Sequence, residues 1–211
     1  MLEDGSTVTA FCANTGSMSQ VSEPGSHVIL TNAGNPERKT RYDWQMTLVN
    51  GQWAGINTAV PNILLKEGFD NGTVPEFRGY DSIRMEVGWG KGYRADAVLY
   101  GPNGMMFVEA KNVTLVKNGI ALFPDAATTR GVKHLEKLME LVKLGHKACV
   151  FLLTQRFESE EIGAAADIDP VFAEKIEEAK SSGVLIKAWR AKVTPEEITL
   201  DRELLFMGAI K

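Results

Sequence analysis

Cysteine is scarce in this chain: Cys12 and Cys149 are its only two among 211 residues. Two thiols so far apart exclude a zinc framework and read as reduced. No apolar run reaches about 18 residues, the length a membrane-spanning helix needs, and no signal peptide opens the chain. The expectation is a soluble cytoplasmic protein with no membrane partner. Positive charge is not in excess either. A net charge of −4 excludes a generally basic nucleic-acid binder, so any such binding needs a local patch. Internal repeats and low-complexity segments are absent. So is a nucleotide-phosphate loop: Gly88-Trp89-Gly90-Lys91-Gly92 is glycine-rich but does not open a helix after a strand. What remains is a chain with 44% hydrophobic residues, enough for one large or two small domains.

The most informative stretch runs from Tyr93 to Thr114. Two β-prone segments flank Gly101-Pro102-Asn103-Gly104, a strong turn signal. Both segments carry charge where a buried sheet would want none: Asp96 in the first, Glu109 and Lys111 in the second. Strand alternation puts Glu109 and Lys111 on one face and Ala110 on the other. The turn decides where Asp96 falls. A loop of two or four residues places it directly opposite Glu109, about 5 Å away at Cβ. A three-residue loop with a glycine bulge would place it opposite Ala110 instead.

Two neighbouring carboxylates repel each other unless a cation lies between them. Oxygen ligands favour a hard ion, Mg²⁺ or Mn²⁺. A lysine on the same face can orient a water or stabilise charge on a phosphate. These are the parts of a metal-assisted phosphodiester hydrolase; the alternative is a solvated ion pair on an exposed sheet face. Glu178-Ala179-Lys180 repeats the same spacing inside a predicted helix, where about 100° per residue separates the two charges. Pro124-Asp125 follows the Glu-x-Lys instead of preceding it. Both are decoys.

From Met1 to about Tyr80 the pattern predicts short strands at Ser6–Cys12, Ser26–Thr31, Arg41–Asn50 and Gln52–Thr58, a small barrel or sandwich. A short helix is expected at Pro61–Glu67. Arg38, Lys39 and Arg41, beside Tyr42 and Trp44, form its one basic-aromatic cluster. Such a cluster can track a phosphate backbone, although a strand position for Trp44 favours the core over a stacking platform.

From Asp81 the pattern predicts a mixed sheet with helices packed on it. Strands are expected at Ser82–Val87, in the hairpin, and at Ala148–Thr154, Val184–Trp189 and Ile198–Phe206. Helices are expected at Asp125–Leu144 and Pro170–Ser182, and Glu158–Asp169 reads as a loop. In the first helix Leu135, Leu138, Met139 and Val142 form a buried stripe. Arg130, Lys133, His134 and Lys137 form a basic stripe suited to phosphates; a solvated charged face is the alternative.

Phe123-Pro124-Asp125-Ala126, Thr128, Arg130-Gly131 and Lys133-His134-Leu135 resemble the signature of the sugar fermentation stimulation protein family. So do Asn14-Thr15-Gly16-Ser17, Asn35-Pro36, Asn57-Thr58, Val108–Leu115 and Ile168-Asp169-Pro170. The resemblance spans nearly the whole chain. It implies an OB-like β-barrel at 1–80, followed by a restriction-endonuclease-like α/β domain of the PD-(D/E)xK nuclease type at 81–211. It implies DNA binding, DNA being favoured over RNA, with little sequence specificity and a link to regulation of sugar (maltose) metabolism. A magnesium-dependent nuclease is the alternative. Carried over, Asp96, Glu109 and Lys111 are the catalytic positions and Asp96 and Glu109 the metal ligands, with Glu86 a weaker fourth. The basic first strand usual before Asp4-Gly5 is expected to be missing. Self-association is left open.

Overall fold

The computed structural model describes Leu2 and residues 4–90 and 92–211; Lys91 of the glycine-rich run lies outside the described residues. Four strands form the N-terminal sheet: β1 (Ala10–Phe11), β2 (Val28–Asn32), β3 (Tyr42–Val49) and β4 (Gln52–Gly55), with β3 paired to the other three. Asn50-Gly51 turns β3 into β4, both residues at positive φ, as a tight hairpin of this twist requires. Of the expected Ser6–Cys12 strand only Ala10–Phe11 pairs. Trp44 is half-buried against a small core of Met18, Val21, Ala54 and Ile56, and its Nε1 donates to the Met46 carbonyl at 2.8 Å. Its ring packs on that core.

Helix α1 (Val60–Asp70) and a short helical turn at Pro75–Phe77 lead into the larger sheet. That sheet contains β5 (Ser82–Trp89), β6 (Tyr93–Gly101), β7 (Gly104–Val113), β8 (Leu115–Lys117), β9 (Ile120–Phe123), β10 (Lys147–Thr154), β11 (Glu161–Ala165), β12 (Leu185–Val193) and β13 (Ile198–Ile210). Their spatial order is β5-β6-β7-β10-β12-β13-β11-β9-β8. Helices α2 (Thr129–Lys143) and α3 (Pro170–Ser181) cover one face. α1 covers the other, through Val60, Leu64 and Leu65 against Val108, Phe151 and Trp189. β10 lies parallel between β7 and β12, and its continuous apolar run suits a strand buried on both faces.

Two further features depart from the sequence expectation. Glu158–Asp169 is not simply a loop: β11 lies between β9 and β13, parallel to both. Its glycine and alanines have little strand preference of their own. They are needed because a larger side chain will not fit: a Cβ on Gly163 would lie 2.6 Å from Ile210. The expected helix at 125–144 begins only at Thr129, where the Thr128 hydroxyl accepts from Gly131 N. The hairpin β8–β9 precedes it, turning at Asn118-Gly119. Among the described residues no helix is long and apolar enough to cross a membrane.

Candidate metal and phosphate site

β6 and β7 pair in the register that a two-residue turn demands, from Gly101↔Gly104 back to Ala97↔Val108. There the ladder stops, one residue short of Asp96 and Glu109, which would be the next partners. The strands part at this point. The Ala110 N–H, beyond the last β6–β7 pair, donates to Asp96 Oδ2 at 2.8 Å. Asp96 thus closes the open end of the ladder.

The outer strand is distorted at the same level. Glu86, facing Asp96 in the β5–β6 register, has a φ of 55°, uncommon for a residue with a side chain. On either side of it the packing reverses: Ile83 and Met85 join the layer under α1, whereas Val87 and Trp89 join the layer under α2 and α3. β6 reverses with it, Ala97 and Leu99 facing α1 and Tyr93 and Ala95 facing α2. Because the reversals lie at the same level, the pairing skips Glu86 and Asp96 and resumes without a shift, Met85↔Ala97 on one side and Val87↔Ala95 on the other. Glu86, Asp96 and Glu109 therefore stand in one row across three neighbouring strands. Asn62 of α1, for which the sequence carried no signal, reaches the first two: its Nδ2 lies 3.4 Å from Glu86 Oε1 and 3.5 Å from Asp96 Oδ1. An open groove of about 680 Å³ begins here, walled by Asn62, Ile63, Met85 and Glu86.

Glu109 is 3% exposed. Its Oε1 takes the Lys111 ammonium at 2.5 Å and meets His134 Nδ1. Its Oε2 is buried without a hydrogen-bond partner among the described residues, as is the Tyr93 hydroxyl. Burial pushes the Glu109 carboxyl upward, but the His134 hydrogen bond and the Lys111 charge and hydrogen bond outweigh it and leave the group below its ordinary value. Asp96 goes the other way. Burial, then the Glu109 charge, raise it above the ordinary carboxylate range against the Ala110 N–H, Lys111 and Asn62. Tyr93 is pushed up by burial, then by the charges of Glu109 and Asp96 and by its hydroxyl's approach to the Glu109 carboxylate, so its phenol stays protonated beside that group.

The basic stripe of α2 divides. His134 turns inward onto Glu109, away from the solvent-facing role the sequence suggested, with its ring edge-on to Tyr93 at 5.7 Å. Arg130 Nε approaches His134 Nε2 at 3.3 Å. Lys133 is exposed, and Lys137 is held by Glu140 at 2.6 Å. In the N-terminal sheet Arg38 forms a two-pronged pair with Asp43 at 2.7 and 3.0 Å, while Lys39 and Arg41 are exposed.

A hard divalent ion suits this donor set: two carboxylates side by side, one with a buried oxygen that has no partner. Among the described residues no cluster of three or more His, Cys, Asp or Glu groups could hold a metal, so such an ion would keep much of its water, as Mg²⁺ commonly does.

Residues 59–197 match the sugar fermentation stimulation protein RE domain, and residues 1–56 the SfsA N-terminal OB domain. The sugar fermentation stimulation protein homolog of Geobacter sulfurreducens is 49% identical over 203 residues, covering 96% of this chain and 87% of that protein. The homolog of Pelobacter propionicus is 48% identical, covering 97% and 89%. Among solved structures, Pyrococcus furiosus SfsA in complex with Ca²⁺ superposes with a TM-score of 0.89 at 26% identity, covering 96% of this chain and 87% of that one.

Proposed function

The chain belongs to the sugar fermentation stimulation protein family, and from that premise and the site's geometry we propose that it binds DNA around a divalent cation held by Asp96 and Glu109. One observation carries the reading: the buried Glu109 oxygen with no hydrogen-bond partner among the described residues, beside a carboxylate that burial and then the Glu109 charge push toward protonation. Unpartnered buried polar atoms call for an explanation, a missing ion among them. Mg²⁺ or Mn²⁺ is the ion proposed; the Pyrococcus furiosus relative was solved with Ca²⁺. A cation bound there would offset the carboxylate repulsion and draw a phosphate oxygen to the site.

The chain's own residues do the rest. Lys111 neutralises Glu109 and places a second positive charge at the carboxylates. Arg130 and Lys133, exposed at the start of α2, hold flanking phosphates. Exposed Lys39 and Arg41 add backbone contacts from the N-terminal sheet. Contacts of this kind carry little sequence information, in keeping with weak specificity. Regulation of sugar metabolism would act through this binding.

A second reading, phosphodiester hydrolysis, is favoured by Lys111 standing 2.5 Å from Glu109, where its ammonium could also stabilise charge on a phosphate under attack. Labelled single- and double-stranded DNA with Mg²⁺ or Mn²⁺, beside Lys111→Ala, separates the two. Cutting that vanishes in the variant establishes hydrolysis. Binding without cutting establishes the regulator. Absence of salt-sensitive binding to either form of DNA would overturn both.

A further inference from the structure

Two members of the basic row on α2 connect the surface to the acid site. Arg130 Nε lies 3.3 Å from His134 Nε2, and His134 Nδ1 meets Glu109 Oε1. The partners assign the ring's tautomer. A guanidinium only donates and an ionised carboxylate only accepts, so the ring carries its proton on Nδ1 and accepts at Nε2. The ring cannot move freely: its side chain is 15% exposed and stands edge-on to buried Tyr93. Arg130, by contrast, is exposed, and its two Nη atoms make no hydrogen bond to the described residues. The outer edge of its fork is open to a phosphate, for which that edge is well shaped, while Nε stays on the imidazole.

We propose that Arg130 and His134 couple the two halves of the site, so that a DNA phosphate on the Arg130 fork and a divalent cation on Glu109 bind cooperatively. His134 is the positioning residue between them. The proposal rests on the DNA and cation reading given above. A phosphate engaged by the Nη atoms immobilises Arg130; Arg130 then fixes the imidazole, and the imidazole, with Lys111, holds Glu109 Oε1. The other oxygen is left presented to the cation. By linkage the effect is reciprocal: whatever DNA does for cation affinity, the cation does for DNA.

The test is calorimetric titration of Ca²⁺ into the full chain, alone and saturated with a short oligonucleotide. In the wild-type protein, DNA should tighten Ca²⁺ binding at least about fivefold, the lower range of such couplings. In His134→Ala most of that tightening should be lost. His134→Asn is the sharper variant, because its amide nitrogen stands in for Nδ1 but nothing replaces Nε2. Whatever Ca²⁺ affinity its DNA-free form shows, DNA should no longer tighten it. The same tightening in His134→Ala or His134→Asn as in the wild type would overturn the coupling while leaving the DNA and cation reading intact. A wild-type protein that binds neither Ca²⁺ nor DNA would overturn that reading and the coupling with it.

Discussion

Asp96 accepts the backbone N–H of Ala110 at 2.8 Å, so a side chain takes over at the point where the β6–β7 ladder ends. The bond ties β6 to β7 at their charged ends. Asparagine could make the same bond without the charge. Asp96→Asn should therefore raise the melting temperature at pH 7 in the absence of divalent ions, because it removes repulsion from Glu109. The group's folded value lies above its ordinary one. Its contribution to stability is thus fully present below the ordinary carboxylate range and is lost as pH rises through the folded value. The advantage of the asparagine variant should shrink toward zero in acid. Melting curves across that range check it; a variant no more stable at pH 7 than in acid, relative to wild type, would contradict the assignment.

Glu109 has the opposite sign. Its folded value is lowered, so its contribution is present above the ordinary range and is lost as pH falls through the folded value. Glu109→Gln removes the counter-charge of Lys111, whose side chain is 17% exposed. Breaking one partner of a buried pair sets the scale at roughly 3 kcal/mol, the low end because Lys111 has some access to water. Chemical denaturation measures it.

Gly16 packs against the carboxylate of Asp125, where a Cβ would lie 2.5 Å from both oxygens. Asp125 Oδ2 accepts from Met18 N at 3.2 Å and from the Thr114 hydroxyl at 3.5 Å, joining the 14–18 turn to the larger sheet. Gly16→Ala should destabilise by about 1–3 kcal/mol through overpacking, without altering cation affinity. Equal loss of cation affinity would place this contact in the site after all.

The position of the carboxylates was legible because one turn sets it. Gly101-Pro102-Asn103-Gly104 fixes the pairing of β6 with β7, and side-chain alternation then carries Glu109 and Lys111 to one face. The buried stripe of α2 was legible from its spacing in the same way. What lay hidden depends on contacts distant in sequence. Nothing near His134 tells that it meets Glu109 and not solvent, and nothing near Asn62 tells that it reaches Asp96 across the α1–β5 groove. β11 was hidden because its alanines form a strand only where β9 and β13 leave a narrow slot. Glu86 reveals its turned backbone only in the reversal of packing around it.

Salt dependence separates the basic groups. If Arg130 and Lys133 each contact one phosphate, Arg130→Ala and Lys133→Ala should each reduce the slope of log affinity against log salt by about 1. Lys137, already held by Glu140, should change the slope less. Fluorescence anisotropy at several salt concentrations reads all three, and an unchanged slope in Arg130→Ala would remove that residue from the interface.

Titration of Mg²⁺ and Ca²⁺ into the wild-type protein and into Asp96→Asn, followed by calorimetry, tests the central claim most directly. The account predicts one saturable divalent site in the wild type, lost or weakened at least about tenfold in the variant, in line with removing one carboxylate ligand and roughly 1.4 kcal/mol or more. Equal binding in both proteins, or none in the wild type with DNA present, would contradict a cation site at Asp96 and Glu109.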